Sequence, residues 1–315
     1  MSEQKKIATR EAYGQALAAL AVENNNIVVL DADLSKSTKT ADFAAVAPER
    51  FFNAGIAEQN MTGVAAGLAS AGKIPFISSF AVFAAGRAFE QIRNSIAYPC
   101  LNVKIAATHA GISVGEDGGS HQAIEDIALM RVLPNMTIIS PADGPEALQA
   151  VQAAARHQGP VYLRLGRLGV AVIHDEHYQF CLGQGVLEQA GQDIVIFASG
   201  MMVGYTLEAA ALLANEGITA AVANIHTIKP LDREFVLKQA AVCGAALTVE
   251  EHSIIGGLGS AIAETLLEGG CCVPFLRLGV NDQFGQSGSP AALIKHYGLD
   301  PANIARQAKA VVAKK

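Results

Sequence analysis

The sequence predicts an α/β protein with two three-layer α/β/α domains, each built around a mainly parallel sheet. A length of 315 residues suffices for two domains of ordinary size with separate cores. The composition, 51% hydrophobic and 17% charged with 30 Gly, is typical of packed layers. Short β-branched runs alternate with Ala-rich helical stretches, and continuous apolar strands between helices indicate a parallel sheet with both faces covered.

The first domain is predicted to span residues 1–168. Its strands are short apolar runs, which we place at Ile27–Asp31, Phe51–Asn53, Ile74–Ser79, Val103–Thr108, Thr137–Ser140 and Val161–Arg164. Longer stretches between them predict helices at Arg10–Glu23, Glu58–Ala71, Gly86–Ala97, Ala123–Val132 and Gly144–His157. This regular alternation is the signature of strands that pair in parallel through crossover helices.

A polar stretch at 174–177 interrupts the alternation, so we expect a linker over residues 169–191 and a smaller second domain over residues 192–315. The strands of the second domain are predicted at Ile194–Ala198, Thr219–Ala223, Ala246–Glu250 and Phe275–Leu278. Its helices are predicted at Val203–Glu216, Asp232–Ala241 and Gly257–Leu267. No short-period repeat or low-complexity tract interrupts either domain.

Charge and cysteine content restrict the partners and the compartment. A formal net charge of −6 argues against general affinity for nucleic acid or for anionic membranes, so an anionic substrate would need local cations. The five cysteines have no C-x-x-C spacing, which indicates buried or free thiols in a reducing compartment. The polar N-terminal segment 1–6 does not resemble a signal core, and no apolar run approaches the roughly 20 residues of a membrane span. We therefore expect a soluble cytoplasmic protein.

Ligands of such sheets bind at the carboxyl ends of the strands, and several of these ends carry polar or aromatic side chains. Residues 31–37 contain two acids and two hydroxyls, which suit either a helix-capping loop or a ligand site. Glu58 begins a predicted helix among apolar neighbours, where it could also merely interact with the helix dipole. Phe80 and Phe83 are either core residues or a pair that could sandwich a flat heteroaromatic ring.

The most informative segment is the glycine-rich loop, residues 109–122, which follows a predicted strand and carries two His and two acids. Long loops in compact domains are often functional. A His/Asp/His metal site is conceivable there, but the eight- and four-residue spacings define no coordination geometry. Hydrogen bonding to a hydroxylated substrate is the better interpretation. Arg164 and Arg167, at the end of the last strand of the domain, are either surface residues or ligands of an anion, for which guanidinium groups are suited.

These motifs together resemble the C-terminal half of transketolase, its pyrimidine-binding domain followed by its C-terminal domain, across nearly all of the chain. Gly-Ile-Ala-Glu-Gln at 55–59 and the two Phe before Ala-Ala-Gly at 84–86 carry part of the resemblance. The most specific part is Thr-His at 108–109 with Gly-Glu-Asp-Gly-x-x-His-Gln at 115–122. Gly119-Ser120 stands where transketolases commonly have Pro-Thr, and Ile77 where a third aromatic is frequent, so substrate preference could differ.

The resemblance implies thiamine diphosphate as the cofactor. Glu58 would bond the ring nitrogen of its aminopyrimidine and favour the imino tautomer. Phe80 and Phe83 would stack on that ring, and Asp33 would lie at the edge of the cofactor site.

The resemblance also assigns substrate contacts. The sugar channel would be lined by His109, Asp117 and His121, which would hydrogen-bond the hydroxyls and carbonyl of a ketose donor. Arg10, Ser37 and Arg167 fall where the family binds the substrate phosphate. His and Arg donors aimed at such a channel would also stabilise developing negative charge.

The family binds the diphosphate through a divalent metal and a Gly-Asp-Gly motif followed by an Asn, and this sequence has no Gly-Asp-Gly. We therefore expect a split transketolase in which a partner subunit holds the metal (Mg or Ca), within an α2β2 heterotetramer. The reaction would transfer a two-carbon ketol unit from a ketose phosphate to an aldose phosphate.

Other functions stay open at this point. A 1-deoxyxylulose-5-phosphate synthase or the β-subunit of a 2-oxo-acid dehydrogenase shares part of the pattern, and a non-catalytic structural or regulatory subunit could retain the fold. The presence of Glu58 with three channel residues argues against the last. In the second domain, Glu250-Glu251-His252 precedes a Gly-rich turn at 256–259, which is either a helix entry or an anion site.

Overall fold

The computed structural model describes residues 6–315. The prediction for the polar N-terminal segment 1–6 therefore falls outside the described residues except at Lys6. The strands, in chain order, are β1 (Lys6–Ala8), β2 (Ile27–Asp31), β3 (Phe51–Asn53), β4 (Ile74–Phe80), β5 (Lys104–Thr108), β6 (Thr137–Ile139), β7 (Val161–Arg164), β8 (Gly169–Ala171), β9 (Val186–Gln189), β10 (Ile194–Ala198), β11 (Ala220–Asn224), β12 (Thr227–Lys229), β13 (Ala246–Ser253) and β14 (Phe275–Val280).

The helices pack on both faces of the sheets formed by these strands. In chain order they are α1 (Thr9–Glu23), α2 (Ser35–Thr38), α3 (Ala41–Val46), α4 (Glu58–Ser70), α5 (Phe89–Gln91), α6 (Asp126–Arg131), α7 (Gly144–Arg156), α8 (Met202–Ala214), α9 (Arg233–Cys243), α10 (Leu258–Glu268), α11 (Pro290–His296) and α12 (Pro301–Val312). Within residues 6–315, no helix is long and apolar enough to cross a bilayer.

The larger sheet has the strand order β12-β6-β7-β5-β4-β2-β3, and every pair is parallel except β12 with β6. The smaller sheet has the order β14-β13-β10-β11-β9, in which only β9 is antiparallel. The predicted fold class, two α/β/α domains with mainly parallel sheets, is confirmed.

Alternation along β2 shows why both faces of the larger sheet are covered. Ile27 and Val29 pack into the core beneath α1 and α7, whereas Val28 and Leu30 pack into the core that includes Met61 of α4. Successive side chains of a strand point to opposite faces, so a strand that is apolar throughout needs a helix layer on each side.

The two domains share apolar packing and one sheet. Strand β12, from the second half of the chain, adds to the larger sheet with Thr227 opposite Ile139. Ile228 lies in the same core as Phe197 of the smaller sheet. Within the predicted linker, β8 pairs with β1 and β9 joins the smaller sheet. The boundaries at 168/169 and 191/192 themselves stay a prediction.

Some observed elements differ from the expectations. The predicted helix at Gly86–Ala97 consists of two π-helical turns, Val82–Arg87 and Ile92–Ala97, on either side of α5. Helices α11 and α12 were not predicted, although each begins with Pro after a capping side chain, Ser289 and Asp300 respectively.

Candidate active site at the carboxyl edge of the larger sheet

The predicted site residues converge because their strands are neighbours. Phe80 ends β4, His109 follows β5, Arg167 follows β7 and Asp33 follows β2, while Glu58 begins the helix after β3. The strands β7-β5-β4-β2-β3 lie side by side and are all parallel, so their carboxyl ends form one edge. This is the edge at which open α/β sheets bind ligands.

Glu58 is a buried carboxylate with two side-chain donors. Its side chain is 1% exposed, and Arg87 Nη1 donates to Oε2 over 2.8 Å while Ser79 Oγ donates to Oε1 over 3.2 Å. A buried charge needs such partners, because desolvation otherwise makes the anion costly. Sequence reasoning missed both donors. Neither donor had a signal in the sequence, because Ser79 and Arg87 lie 21 and 29 positions from Glu58 and Arg87 stands on a π-helical turn.

Phe80 and Phe83 stack on each other, with ring centroids 6.1 Å apart and ring planes at 14°. A flat ring sandwiched between them would need about 7 Å, two van der Waals gaps, so the sandwich considered from the sequence does not fit. The guanidinium of Arg87 lies over the Phe83 ring, 4.5 Å from its centroid. A cofactor ring therefore cannot lie between these two Phe rings.

His109 occupies the left-handed region with a φ of +56°, an uncommon conformation for a residue other than Gly. Its ring stacks on Phe80 at a centroid distance of 3.8 Å. Burial, followed by the positive charges of Arg10 and Arg167 and by His121, lowers the pKa of His109 to about 3. The imidazole is therefore neutral.

The tautomer of His109 follows from its two neighbours. Nε2 lies 3.2 Å from Nη1 of Arg10, and Nδ1 lies 2.9 Å from Oγ1 of Thr108. Because a guanidinium can only donate, Nε2 is the acceptor and Nδ1 carries the hydrogen that it donates to Thr108. Thr108 was quoted in the sequence motif but had no role there, and it orients the ring.

The two cations predicted to bind phosphate lie in the same part of the edge. Arg10 Nη1 donates to the Ser37 carbonyl over 2.8 Å, and the buried Nε of Arg10 has no hydrogen-bond partner among residues 6–315. Burial lowers the pKa of Arg10, and the charge of Arg167 contributes in the same direction. Arg167 donates to the carbonyl of Val114. The two guanidiniums are therefore close enough to affect each other, and the carboxylates of Glu116 and Asp117 lie within 4.0 Å of Arg167.

The glycine-rich loop places its polar side chains at two points. Asp117 is exposed, with Oδ2 3.7 Å from Nη1 of Arg167. His121 lies edge-on to Phe83 at 5.3 Å, and Ser120 Oγ is 3.0 Å from its Nδ1. No group of three or more His, Cys, Asp or Glu side chains in residues 6–315 is arranged to bind a metal ion.

Asp33 lies at the periphery of this edge. It is exposed, has a φ of +65°, and accepts a 2.9 Å hydrogen bond from Asn53 Nδ2. Its neighbour Asp31 is buried and accepts from the hydroxyls of Thr38 and Thr40. Burial raises the pKa of Asp31. Asp31 therefore closes the turn after β2, and Asp33 is the acid left facing solvent.

Comparison with known proteins gives the family. Residues 5–171 match the transketolase pyrimidine-binding domain and residues 183–304 match the transketolase C-terminal domain. A Methanocaldococcus jannaschii protein, whose name assigns it to the C-terminal section of transketolase, is 51% identical over 300 residues, covering 95% of this chain and 94% of its own. The 6-deoxy-6-sulfo-D-fructose transketolase subunit of a Clostridium species is 44% identical over 306 residues, covering 97% of this chain and 95% of its own.

Solved structures agree with the sequence relatives. The structure of a split-gene transketolase, described as an inactive β4 tetramer, superimposes with a TM-score of 0.90 at 55% identity and covers 98% of this chain and 99% of that chain. The resemblance inferred from the motifs is confirmed. The chain belongs to the transketolase family and corresponds to its pyrimidine-binding and C-terminal domains.

Proposed function

We propose that this chain is one subunit of a thiamine-diphosphate-dependent split transketolase that transfers a two-carbon ketol unit from a ketose phosphate to an aldose phosphate. The observation that carries the proposal is the buried carboxylate of Glu58 beside the Phe80–Phe83 pair, on the same sheet edge as a neutral imidazole and two guanidiniums. A buried acid, an apolar ring pair and two guanidiniums are what this half of such an active site would contribute.

The residues of this edge fit the aminopyrimidine of thiamine diphosphate. Glu58 offers a buried carboxylate that would accept a hydrogen bond from the ring N–H of the imino tautomer, and Phe80 and Phe83 would supply apolar contact with the ring. Asp33 would face the margin of the bound ring. When bound, this cofactor supplies the carbanion chemistry of ketol transfer, and the protein supplies orientation and electrostatics.

The polar side chains around the two Phe rings suit a phosphorylated sugar. His109, Asp117 and His121 present acceptors and donors for hydroxyl and carbonyl oxygens. Arg10 and Arg167 would bind the phosphate through their guanidiniums, and Ser37 lies beside Arg10. Guanidinium and imidazole groups would also stabilise negative charge that develops on substrate oxygens.

A partner subunit would supply the rest of the active site. The sequence has no Gly-Asp-Gly motif, so the diphosphate and its divalent metal, Mg or Ca, are assigned to an N-terminal transketolase subunit. The related split-gene structure is a β4 tetramer described as inactive, which supports a requirement for a second chain. An α2β2 assembly would place each site between subunits. The five free cysteines support a reducing, cytoplasmic location.

The identity of the sugar is open within this proposal. The Clostridium relative is named for 6-deoxy-6-sulfo-D-fructose, whose anion is a sulfonate rather than a phosphate. The guanidiniums of Arg10 and Arg167 would suit either anion. The rival activities, 1-deoxyxylulose-5-phosphate synthesis and oxo-acid decarboxylation, use pyruvate or another 2-oxo acid in place of a ketose donor.

A reconstitution experiment tests the proposal. The purified chain is assayed for ketol transfer from xylulose 5-phosphate to ribose 5-phosphate, with and without the partner, in the presence of thiamine diphosphate and Mg²⁺. We expect transfer only with both chains. Substantial transfer by this chain alone would refute the split arrangement, and product formation from pyruvate plus glyceraldehyde 3-phosphate would favour the synthase. Absence of both activities, with no thermal stabilisation by the cofactor, would indicate a non-catalytic subunit.

A further inference from the structure

The second domain contacts the glycine-rich loop (residues 109–122) directly. The buried side chain of Gln122 connects the two. Its Nε2 lies 3.2 Å from the carbonyl of Ile112, 3.3 Å from that of Gly115 and 3.0 Å from that of Gln286 in the second domain. One amide group therefore ties both arms of the loop to each other and to a segment more than 160 positions away in the chain.

The glycines of the loop allow this close approach. A Cβ on Gly119 would lie 2.6 Å from the carbonyl oxygen of Gly285, and a Cβ on Gly118 would lie 2.6 Å from Oγ of Ser287. Gly118 also has a φ of +76°, which favours Gly for a second reason. On the other side of the contact, a Cβ on Gly285 would collide with Oε1 of Gln122. At each of these contacts at least one of the two surfaces lacks a side chain.

A second contact secures the beginning of the loop. Glu251, from the acidic pair at the end of β13, is buried and accepts a hydrogen bond from the backbone N–H of Ser113. Its carboxyl group fills the space where a side chain on Gly111 would lie. Arg164 Nη2 donates to the Glu251 carbonyl over 2.9 Å and to that of Ala123 over 3.3 Å. Glu251 therefore braces the loop, whereas Glu250 accepts hydrogen bonds from the backbone N–H groups of Leu258 and Gly259 and so occupies the helix entry itself.

These contacts matter because the loop has little regular structure of its own. Between β5 and α6 it contains only a short 3-10 turn, Ile112–Val114. Asp117 and His121 stand on the part of the loop beyond that turn, so packing on the second domain decides where they lie relative to Phe83. Displacement of a positioned group by about 1 Å can cost on the order of a hundredfold in rate.

We propose that the second domain controls donor selection by holding the glycine-rich loop at both ends, with Glu251 and the segment 284–290 as positioning elements. The inference rests on the proposed function for its kinetic consequences, although the contacts themselves are independent of it. The positioning residues touch the loop and not the substrate, so their effect is expected to act through Asp117 and His121.

The test uses Gly285→Ala in the full chain assembled with its partner. The added methyl would push Gln122 away without altering any group assigned to cofactor or substrate. We expect faster backbone hydrogen exchange in residues 111–122, about a tenfold fall in kcat/KM for the ketose donor mainly through KM, and an altered ratio between xylulose 5-phosphate and fructose 6-phosphate. Gly204→Ala is the matched control, because a Cβ there meets nothing within 4 Å.

Glu251 provides a second, independent variant. Glu251→Ala should also give faster hydrogen exchange in the loop and a raised KM for the donor. Glu251→Gln retains an acceptor for the N–H of Ser113, so its exchange rate and KM should lie close to those of the wild type. Hydrogen exchange in residues 111–122 that is unchanged in both Gly285→Ala and Glu251→Ala would overturn the proposal. Faster exchange with an unchanged donor preference would overturn it as well. Because hydrogen exchange needs no turnover, an inactive assembly would count against the proposed function without affecting the test of the loop contacts.

Discussion

The Nη1 atom of Arg87 lies 2.8 Å from Oε2 of Glu58, so a half-exposed guanidinium neutralises a carboxylate that is almost fully buried. The same guanidinium lies over the ring of Phe83. Arg87 thus contacts two of the residues that the proposed function assigns to the aminopyrimidine of the cofactor, Glu58 and Phe83. The charge of Glu58 is compensated within the chain, and Ser79 provides its second hydrogen bond.

Glu58→Gln should preserve the fold and partner binding and reduce turnover by at least about a hundredfold, because the amide has the same shape but cannot serve as an anionic hydrogen-bond acceptor. The measurement is kcat at saturating thiamine diphosphate, with circular dichroism and size-exclusion chromatography as checks on the fold and assembly. Glu49→Gln is the control, since Glu49 is an exposed acid paired with Arg50. A near-normal rate in the Glu58 variant would exclude the proposed role.

Arg87→Met should lower the free energy of unfolding by about 1–2 kcal/mol, because it leaves the buried carboxylate with Ser79 as its one remaining side-chain donor. In the Glu58→Gln background, Arg87→Met should lower the free energy of unfolding much less, because no buried charge remains to be compensated. Urea unfolding of the wild type, both single variants and the double variant gives the coupling. Strictly additive effects would show that the ion pair contributes nothing and that Arg87 acts through other contacts.

Local pattern explains which parts of this site could be predicted. Glu58, Phe80 and His109 each stand where an apolar run ends or a helix begins, and that position is visible in a short window of sequence. The Arg87–Glu58 pair joins residues 29 positions apart and depends on a π-helical turn, whose geometry no simple periodicity indicates.

Contacts between the two halves of the chain could not be predicted from the local sequence pattern either. Glu251 bonds to Ser113 across 138 positions, and β12 crosses into the larger sheet although its run of three residues looks like an ordinary connection. Such pairings follow from how the two domains pack. The hydrophobic pattern of each segment specifies that it is buried, but not against which partner.

Arg167→Ala should raise KM for phosphorylated donors more than for unphosphorylated ones, because the lost guanidinium would have bound the phosphate. The comparison is between xylulose 5-phosphate and hydroxypyruvate or free xylulose in the assembled enzyme. Arg306→Ala is the matched control, since its exposed guanidinium bonds only to Asn303 within α12. Equal effects on both kinds of donor would instead indicate that Arg167 supports the loop through its bond to Val114.

His109 should stay neutral throughout the physiological range, because burial first and then the nearby Arg10 lower its pKa to about 3. Its folded pKa lies below the ordinary value of 6.5, so protonation favours the unfolded chain and this residue lowers stability as the pH falls from 6.5 toward 3. NMR of labelled imidazoles should show no titration of His109 between pH 5 and 8. Exposed His177 serves as the internal comparison, and titration of His109 near pH 6.5 would contradict the assignment.

A buried ionic cluster links the predicted linker to both domains. His174 Nδ1 lies 3.0 Å from Oδ1 of Asp143, and its Nε2 lies 3.0 Å from Oε1 of Glu188. Asn224, in β11, donates to Glu188 and to Glu146. Burial disfavours the His174 cation, but the hydrogen bonds to Asp143 and Glu188 outweigh it and raise the pKa of His174 to about 10. The cluster therefore holds a charged imidazolium at neutral pH.

The raised pKa of His174 predicts a definite pH dependence of stability. A group whose folded pKa exceeds its unfolded value of 6.5 contributes stability that is complete below pH 6.5 and is lost as the pH rises through about 10, with each pKa unit worth about 1.4 kcal/mol. His174→Gln should therefore be much less stable than the wild type at pH 6, and the difference should shrink steadily up to pH 10. Urea unfolding across this range measures it, with His177→Gln as the control. A difference that stays constant with pH would mean that His174 acts by packing against Tyr178, on which its ring lies at 3.8 Å, and not by its charge.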